Sequence, residues 1–194
     1  MPLSKSAPRK GLHQRQITCQ GYQRDDGMWD IEVHLVDTRS RPTTNQWRGE
    51  VPAGAPIHGM WLRWTVDEDI VIRAIEVVMD AAPFPQRCPE VPQNYQRLIG
   101  LSVAKGFVKE AQARIGRTEN CTHLSSMMQV AATCTMQTLY AGRAATEDMA
   151  SRLRIFSSGS DRPPLLNTCH SYAEDSPIIK AVWPAYYVEK AEKK

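Results

Sequence analysis

Tyr22, Arg24, Asp30, Glu32 and His34 crowd into one short stretch, GYQRDDGMWDIEVHL, and each of them can carry a proton or hold an anionic oxygen. Paired carboxylates and an imidazole on one surface can sit in different protonation states at neutral pH, as general acid–base catalysis requires. Arg24 adds a cation able to hold a phenolic or other anionic oxygen. The same residues also suit an ordinary solvated sheet face, since antiparallel sheets often keep one face in water. Alternation alone leaves both readings open.

The elements that position this group are two strands, residues 16–24 and 28–38, flanking the turn Asp25-Asp26-Gly27. A three-residue hairpin loop commonly ends on a glycine in the left-handed conformation, and Gly27 fits that place. Arg24 then opposes Met28, Tyr22 opposes Asp30, Gln20 opposes Glu32 and Thr18 opposes His34. Side chains alternate with period two, so all of these share one face. Ile17, Cys19, Trp29, Ile31, Val33 and Leu35 take the other face, which must be the core side.

Residues 39–57, rich in Pro and Gly in their second part, read as a long loop, the kind that often covers a ligand site. Trp47 within it suits either a lid or surface packing. Residues 58–66 and 70–80 form a second hairpin around Asp67-Glu68-Asp69, with a register ambiguous by one residue. The Pro-rich run from Ala81 to Gln93 ends the sheet, because proline cannot donate to a ladder. Short helical patterns follow at 92–99 and 105–115. Leu124, Met127, Met128, Ala131, Thr135 and Leu139 then form an apolar stripe at helical spacing, with Asn120 or Thr122 as the cap and Gly142 as the stop. SSGSDRPP reads as a turn and LLNTCHSY as a short strand or extended run. Strands followed by helices predict an α+β domain: an antiparallel sheet of about four strands in two hairpins, with helices packed on one face.

Other chemistry-bearing residues lie outside the first hairpin. Cys121 and His123 open the long helix, where unpaired N–H groups and the helix dipole favour a thiolate or bound anion. The same two residues suit a buried cysteine and a locally bonded histidine equally well. With Cys169 and His170 they form a conceivable zinc set, although an adjacent Cys-His pair rarely turns both groups inward. His58, just before a strand, is open to either use. The chain carries no GxGxxG, Walker loop, GxSxG or HExxH, which removes the usual support for nucleotide cofactors, serine hydrolysis and zinc proteolysis.

Composition bounds the remaining possibilities. With 194 residues, 42% hydrophobic and 23% charged, a single domain over 1–194 is expected, residues 1–14 and 188–194 being flexible tails. The net charge of +3 arises from interspersed cations and anions, which gives no nucleic-acid signature. No run approaches the roughly 18 to 20 apolar residues needed to span a bilayer, and the N-terminus lacks an apolar signal core. A cytoplasmic protein is expected, with its odd number of scattered cysteines reduced.

The combination GYQRDDGMWDIEVHLVDT, IHGMWLRWTVD, ENCTHL and LNTCHSY with a later WP resembles domain-of-unknown-function family 2889, from about Arg15 to Pro184. The chain is also similar to bacterial γ-formaldehyde lyases of lignin-dimer catabolism. That likeness implies a cofactor-independent lyase converting a phenylcoumaran-type aromatic dimer to a stilbene with release of formaldehyde. Under it, Glu32 or His34 is the expected base, Asp30 or Tyr22 the acid, and Arg24 the phenolate holder. Trp61 or Trp64, whichever faces the polar side, stacks on a ring, and His58 and His123 are further candidates for substrate binding. The expected partner is a small aromatic substrate, with neither nucleic acid nor membrane, in a possible homo-oligomer. The competing expectation is a non-catalytic metal-binding, small-molecule-binding or scaffold protein. Strands followed by a cysteine at a helix start are similar in layout to iron–sulfur scaffolds, which implies metal at Cys121 and Cys169.

Overall fold

The computed structural model describes residues 3–104, 106–144, 162–163 and 165–189. Its frame is a four-stranded antiparallel sheet in the order β1-β2-β5-β6. Strand β1 (His13–Gln23) pairs with β2 (Trp29–Arg39) in the expected register, Tyr22 against Asp30, Gln20 against Glu32 and Thr18 against His34. Gly27 supplies the left-handed turn position at φ 82°, and the Arg24 N–H donates to the Met28 carbonyl at 2.9 Å. Any residue with a Cβ would be strained there.

Strands β5 (Pro56–Val66) and β6 (Ile72–Ala81) make the second hairpin, its register now resolved. Arg63 pairs with Glu76 and Trp61 with Val78, all turned away from the core. Irregularities at Gly59/Met60 and Thr65/Val66 shift the ladder, which explains why simple alternation gave two answers. The stretch 39–57 is not a plain loop: it contains a small hairpin of β3 (Thr43–Asn45) and β4 (Gly49–Val51). Strands of three residues are too short to show a period. Trp47 at its tip packs edge-on against Phe84, ring centroids 5.2 Å apart, and remains half-exposed.

One face of the sheet is covered. Trp29, Ile31, Val33 and Leu35 of β2 and Met60, Leu62 and Trp64 of β5 are buried on it. Helix α1 (Phe107–Ile115) and helix α2 (Thr122–Arg143) supply the opposing layer. The whole anticipated stripe of α2, from Leu124 to Leu139, is buried. Each such apolar side chain contributes about 1.5–3 kcal/mol by leaving water. The polar member, Thr135, accepts from Trp64 Nε1 at 3.1 Å and donates to the Ala131 carbonyl at 2.8 Å, so it costs little in the core. Gly21 permits the close approach of β1 to α2, since a Cβ there would overlap Thr138.

Three readings in the second half of the chain change in detail. Residues 92–98 form a 3-10 helix rather than an α-helix, its start set by Pro92. Gly142 does not stop α2, which continues to Arg143. LLNTCHSY is not a strand: it turns through Leu165–Thr168 into a 3-10 segment, His170–Tyr172. Most of SSGSDRPP lies outside the described residues.

The chain divides into two compact units, residues 1–139 and 140–194. The second contains the short helix α3 (Pro177–Val182), capped by Ser176, whose Oγ accepts from the Ile179 N–H at 3.2 Å. Within it Tyr172 and Trp183 rings lie 6.1 Å apart. Among the described residues, no helix is long and apolar enough to cross a membrane.

Candidate functional site

The apolar face of the sheet does not end in a hydrophobic residue. Continuing the inward parity of β2 past Leu35 gives Asp37, a carboxylate only 1% exposed. In register beside it stand Arg15 on β1 and His58 on β5. Because they are direct cross-strand partners, all three project from the same face. Asp37 Oδ1 and Oδ2 accept from Arg15 Nε and Nη2 at 2.8 and 2.7 Å, a bidentate pair. His58 Nδ1 lies 3.0 Å from Asp37 Oδ2, and His13 Nε2 lies 3.3 Å from Oδ1.

Helix α2 closes the group from above. Asn120 Oδ1 accepts from the Cys121 N–H at 2.7 Å, fixing the entry to the helix, and the ring of His123 on the first turn lies against His58, centroids 3.8 Å apart at a tilt of 32°. His123 Nε2 is 3.7 Å from Asp37 Oδ2, and its Nδ1 is 3.7 Å from Cys121 Sγ. His58 and His123 form part of the wall of a cavity of about 530 Å³, with Met60, Met79, Phe84 and Cys121 among its other lining residues. That volume lies in the range of small-molecule sites, and apolar side chains such as Phe84 share the lining with charged ones such as Arg87, Glu90 and Glu119.

Charge is distributed unevenly in this site. Burial alone would raise Asp37, but the hydrogen bonds and charge of Arg15, with His58 beside it, hold its carboxyl down at about 2. Asp37 is therefore ionised and accepts only, so the facing His58 Nδ1 carries a proton and Nε2 keeps a lone pair. Burial lowers His58 below the ordinary imidazole value, against the opposing pull of Asp37. Burial also lowers His123, helped by the neighbouring His58 and Arg15. Two neutral imidazoles backed by a carboxylate are equipped to accept and return protons.

The same atoms bear on metal binding. Asp37, His58 and His123 offer ligand atoms all within 4.8 Å of one another. Arg15 already donates to both Asp37 oxygens, so an ion there would compete with that bidentate pair. The two imidazole rings lie 3.8 Å apart at a tilt of 32°.

The residues singled out first lie elsewhere. Asp30, Glu32 and His34 occupy the opposite face of the sheet, half-buried among neighbouring side chains. Asp30 accepts from Thr65 Oγ1 at 2.6 Å and pairs with Arg24 at 3.5 Å, while Arg24 also binds Asp26. Glu32 pairs with Arg63, which also binds Glu76. Tyr22 donates to Gln20 at 2.9 Å. Trp61 is the tryptophan on this face, and it stacks on His34 with centroids 3.7 Å apart. Trp64 is buried in the core and unavailable to a ligand. His58 and His123 are the two candidates that come together at the cavity. Asp37, Arg15 and His13 were missed, although a charged residue continuing an apolar parity on adjacent strands is the signal that finds them. Cys169 and His170 belong to the second unit.

Residues 13–137 match the family described as Protein of unknown function (DUF2889), and the chain belongs to that family. No curated protein matches the chain, and no solved structure does.

Proposed function

We propose that this family member is a cofactor-independent carbon–carbon lyase, acting on a lignin-derived phenolic dimer in the cavity walled by His58 and His123. The observation that carries the reading is the buried Asp37 holding His58, with the His123 ring 3.8 Å from it, at the wall of a cavity of about 530 Å³. The phenylcoumaran is the substrate class that the likeness to γ-formaldehyde lyases implies, and paired proton carriers beside apolar side chains are compatible with it. His58 Nε2 takes the phenolic proton, and the phenolate expels the benzylic oxygen to give a quinone methide. His58, now carrying that proton, returns it to that oxygen. A base then removes the γ-hydroxyl proton, the adjacent carbon–carbon bond breaks, and formaldehyde leaves as the ring regains aromaticity and the stilbene forms. Every step moves a proton or an electron pair already present. Met60, Met79 and Phe84 offer apolar surface against which the aromatic rings can pack.

The test is direct incubation of the purified protein with a phenylcoumaran, followed by measurement of stilbene and formaldehyde. Release of both in equal amounts is expected, and the absence of both sinks the reading. A second reading, metal binding without turnover, draws on the 4.8 Å clustering of Asp37, His58 and His123. It requires tight binding of a divalent transition metal that is lost in His58→Gln. A protein that neither retains nor takes up such a metal removes it.

A further inference from the structure

We propose that Cys121 is a nucleophilic thiol served by His123, and that the cavity captures an aldehyde on it covalently. His123 presents one ring nitrogen to the sulfur and the other to a carboxylate, with Cys121 Sγ at 3.7 Å from Nδ1 and Asp37 Oδ2 at 3.7 Å from Nε2. Nucleophile, base and orienting carboxylate in that order form the general arrangement for activating a weak nucleophile. Cys121 also stands immediately before the 22-residue helix α2. The guanidinium of Arg15 lies close enough to interact electrostatically with the sulfur. Both Cys121 and His123 line the cavity and are only half-buried, so a ligand there can reach them.

The other thiols make the contrast. Cys19 is pushed up by burial and by its hydrogen bond with the free thiol of Cys134, away from reactivity. Cys88 lines the same cavity from the 3-10 turn at Cys88–Glu90, and Cys169 is exposed in the second unit.

An aldehyde is the ligand class whose reaction balances with the groups present and needs no leaving group or oxidant. The Cys121 proton passes to His123 as sulfur attacks the carbonyl carbon. A carbon–sulfur bond forms, the carbonyl π pair moves to oxygen, and His123 returns its proton to that oxygen to give a hemithioacetal. Formaldehyde, the product of the lyase reading, belongs to this class, but the thiol chemistry can be tested without any turnover.

The experiment treats the intact chain with iodoacetamide at neutral pH and follows each cysteine by peptide mass spectrometry. Cys121 is expected to react at least about 10-fold faster than Cys88 and Cys169, an advantage lost in His123→Asn. Acetaldehyde labelled with carbon-13 at its carbonyl is expected to give a hemithioacetal resonance that disappears in Cys121→Ser. Alkylation of wild-type Cys121 no faster than Cys88 overturns the proposal, as does an advantage that survives His123→Asn. A hemithioacetal resonance unchanged in Cys121→Ser overturns the aldehyde assignment. The wild-type rates decide the first point even if a variant fails to fold.

Discussion

The two faces of the sheet carry the same kinds of side chain and use them differently. On the open face Asp30 and Glu32 are 20% and 33% exposed, and each has an arginine at 3.5 Å. On the covered face Asp37 is 2% exposed, clamped by Arg15 and touched by His58 at 3.0 Å. Exposed pairs of the first kind are worth about 0–1 kcal/mol, because water screens them. A buried carboxylate cannot rely on water and needs its partners held in place. The lesson is that a list of acids, bases and cations does not locate a site; desolvation at a cavity wall does.

The comparison can be broken most sharply by turnover. His58→Gln and Asp37→Asn are each expected to cut stilbene formation by about 10²-fold or more, measured as kcat/KM. Near-wild-type values in both would clear the covered face of any part in catalysis.

Acid sensitivity comes next. Asp37 is held at about 2 against an ordinary 3.8, so between those values the unfolded chain binds the extra proton. Its contribution of about 2 kcal/mol is complete above 3.8 and disappears as pH falls toward 2. His58 and His123 are lowered below 6.5, so they too are protonated more readily in the unfolded chain. Stability should therefore begin to fall as pH drops through 6.5, and again below 3.8. Denaturant titrations of wild type and Asp37→Asn across this range check it, the lower step being smaller in the variant, where Asp26 and Glu119, held down by their arginines, still contribute.

A smaller effect belongs to the open face. Trp61→Ala removes the stack on His34 and the bond from Trp61 Nε1 to Asp80, and should cost about 1–2 kcal/mol in the same titrations. The smallest change is expected in turnover for Glu32→Gln and His34→Ala, less than about 3-fold, since a base contributes its usual 10²–10⁴ only within reach of the substrate. A loss of about 10²-fold in either would move the active site to the open face.

The hairpin of β1 and β2 was legible because Gly27 fixes the loop length and alternation then sets every pair. The buried stripe of α2 was legible because its period is unbroken from Leu124 to Leu139. The covered site was not. Asp37 shares the parity of Trp29, Ile31, Val33 and Leu35, and a reading that stops where the apolar residues stop discards it. His58 was placed on no face because the bulges in the second hairpin break the count of two. His123 lay on a correctly expected helix, but its approach to His58 is a tertiary fact that no local pattern contains. The turn at LLNTCHSY failed for a different reason: Asn167 adopts φ 61° and bonds to Glu174, a local choice that overrides extended propensity.

The row of Arg15, Asp37 and His58 across three strands also bears on how the sheet assembles. A slip of one residue between β1 and β2 would set Gln14 or Gln16 against Asp37 and swing Arg15 to the other face. The buried carboxylate would then lose its cation, a penalty of about 3–5 kcal/mol for stranding one partner. A wrong pairing carries an electrostatic penalty on top of its loss of packing. The row thus proofreads the register of the strands that create it, and a chain that has built its site has already certified its sheet.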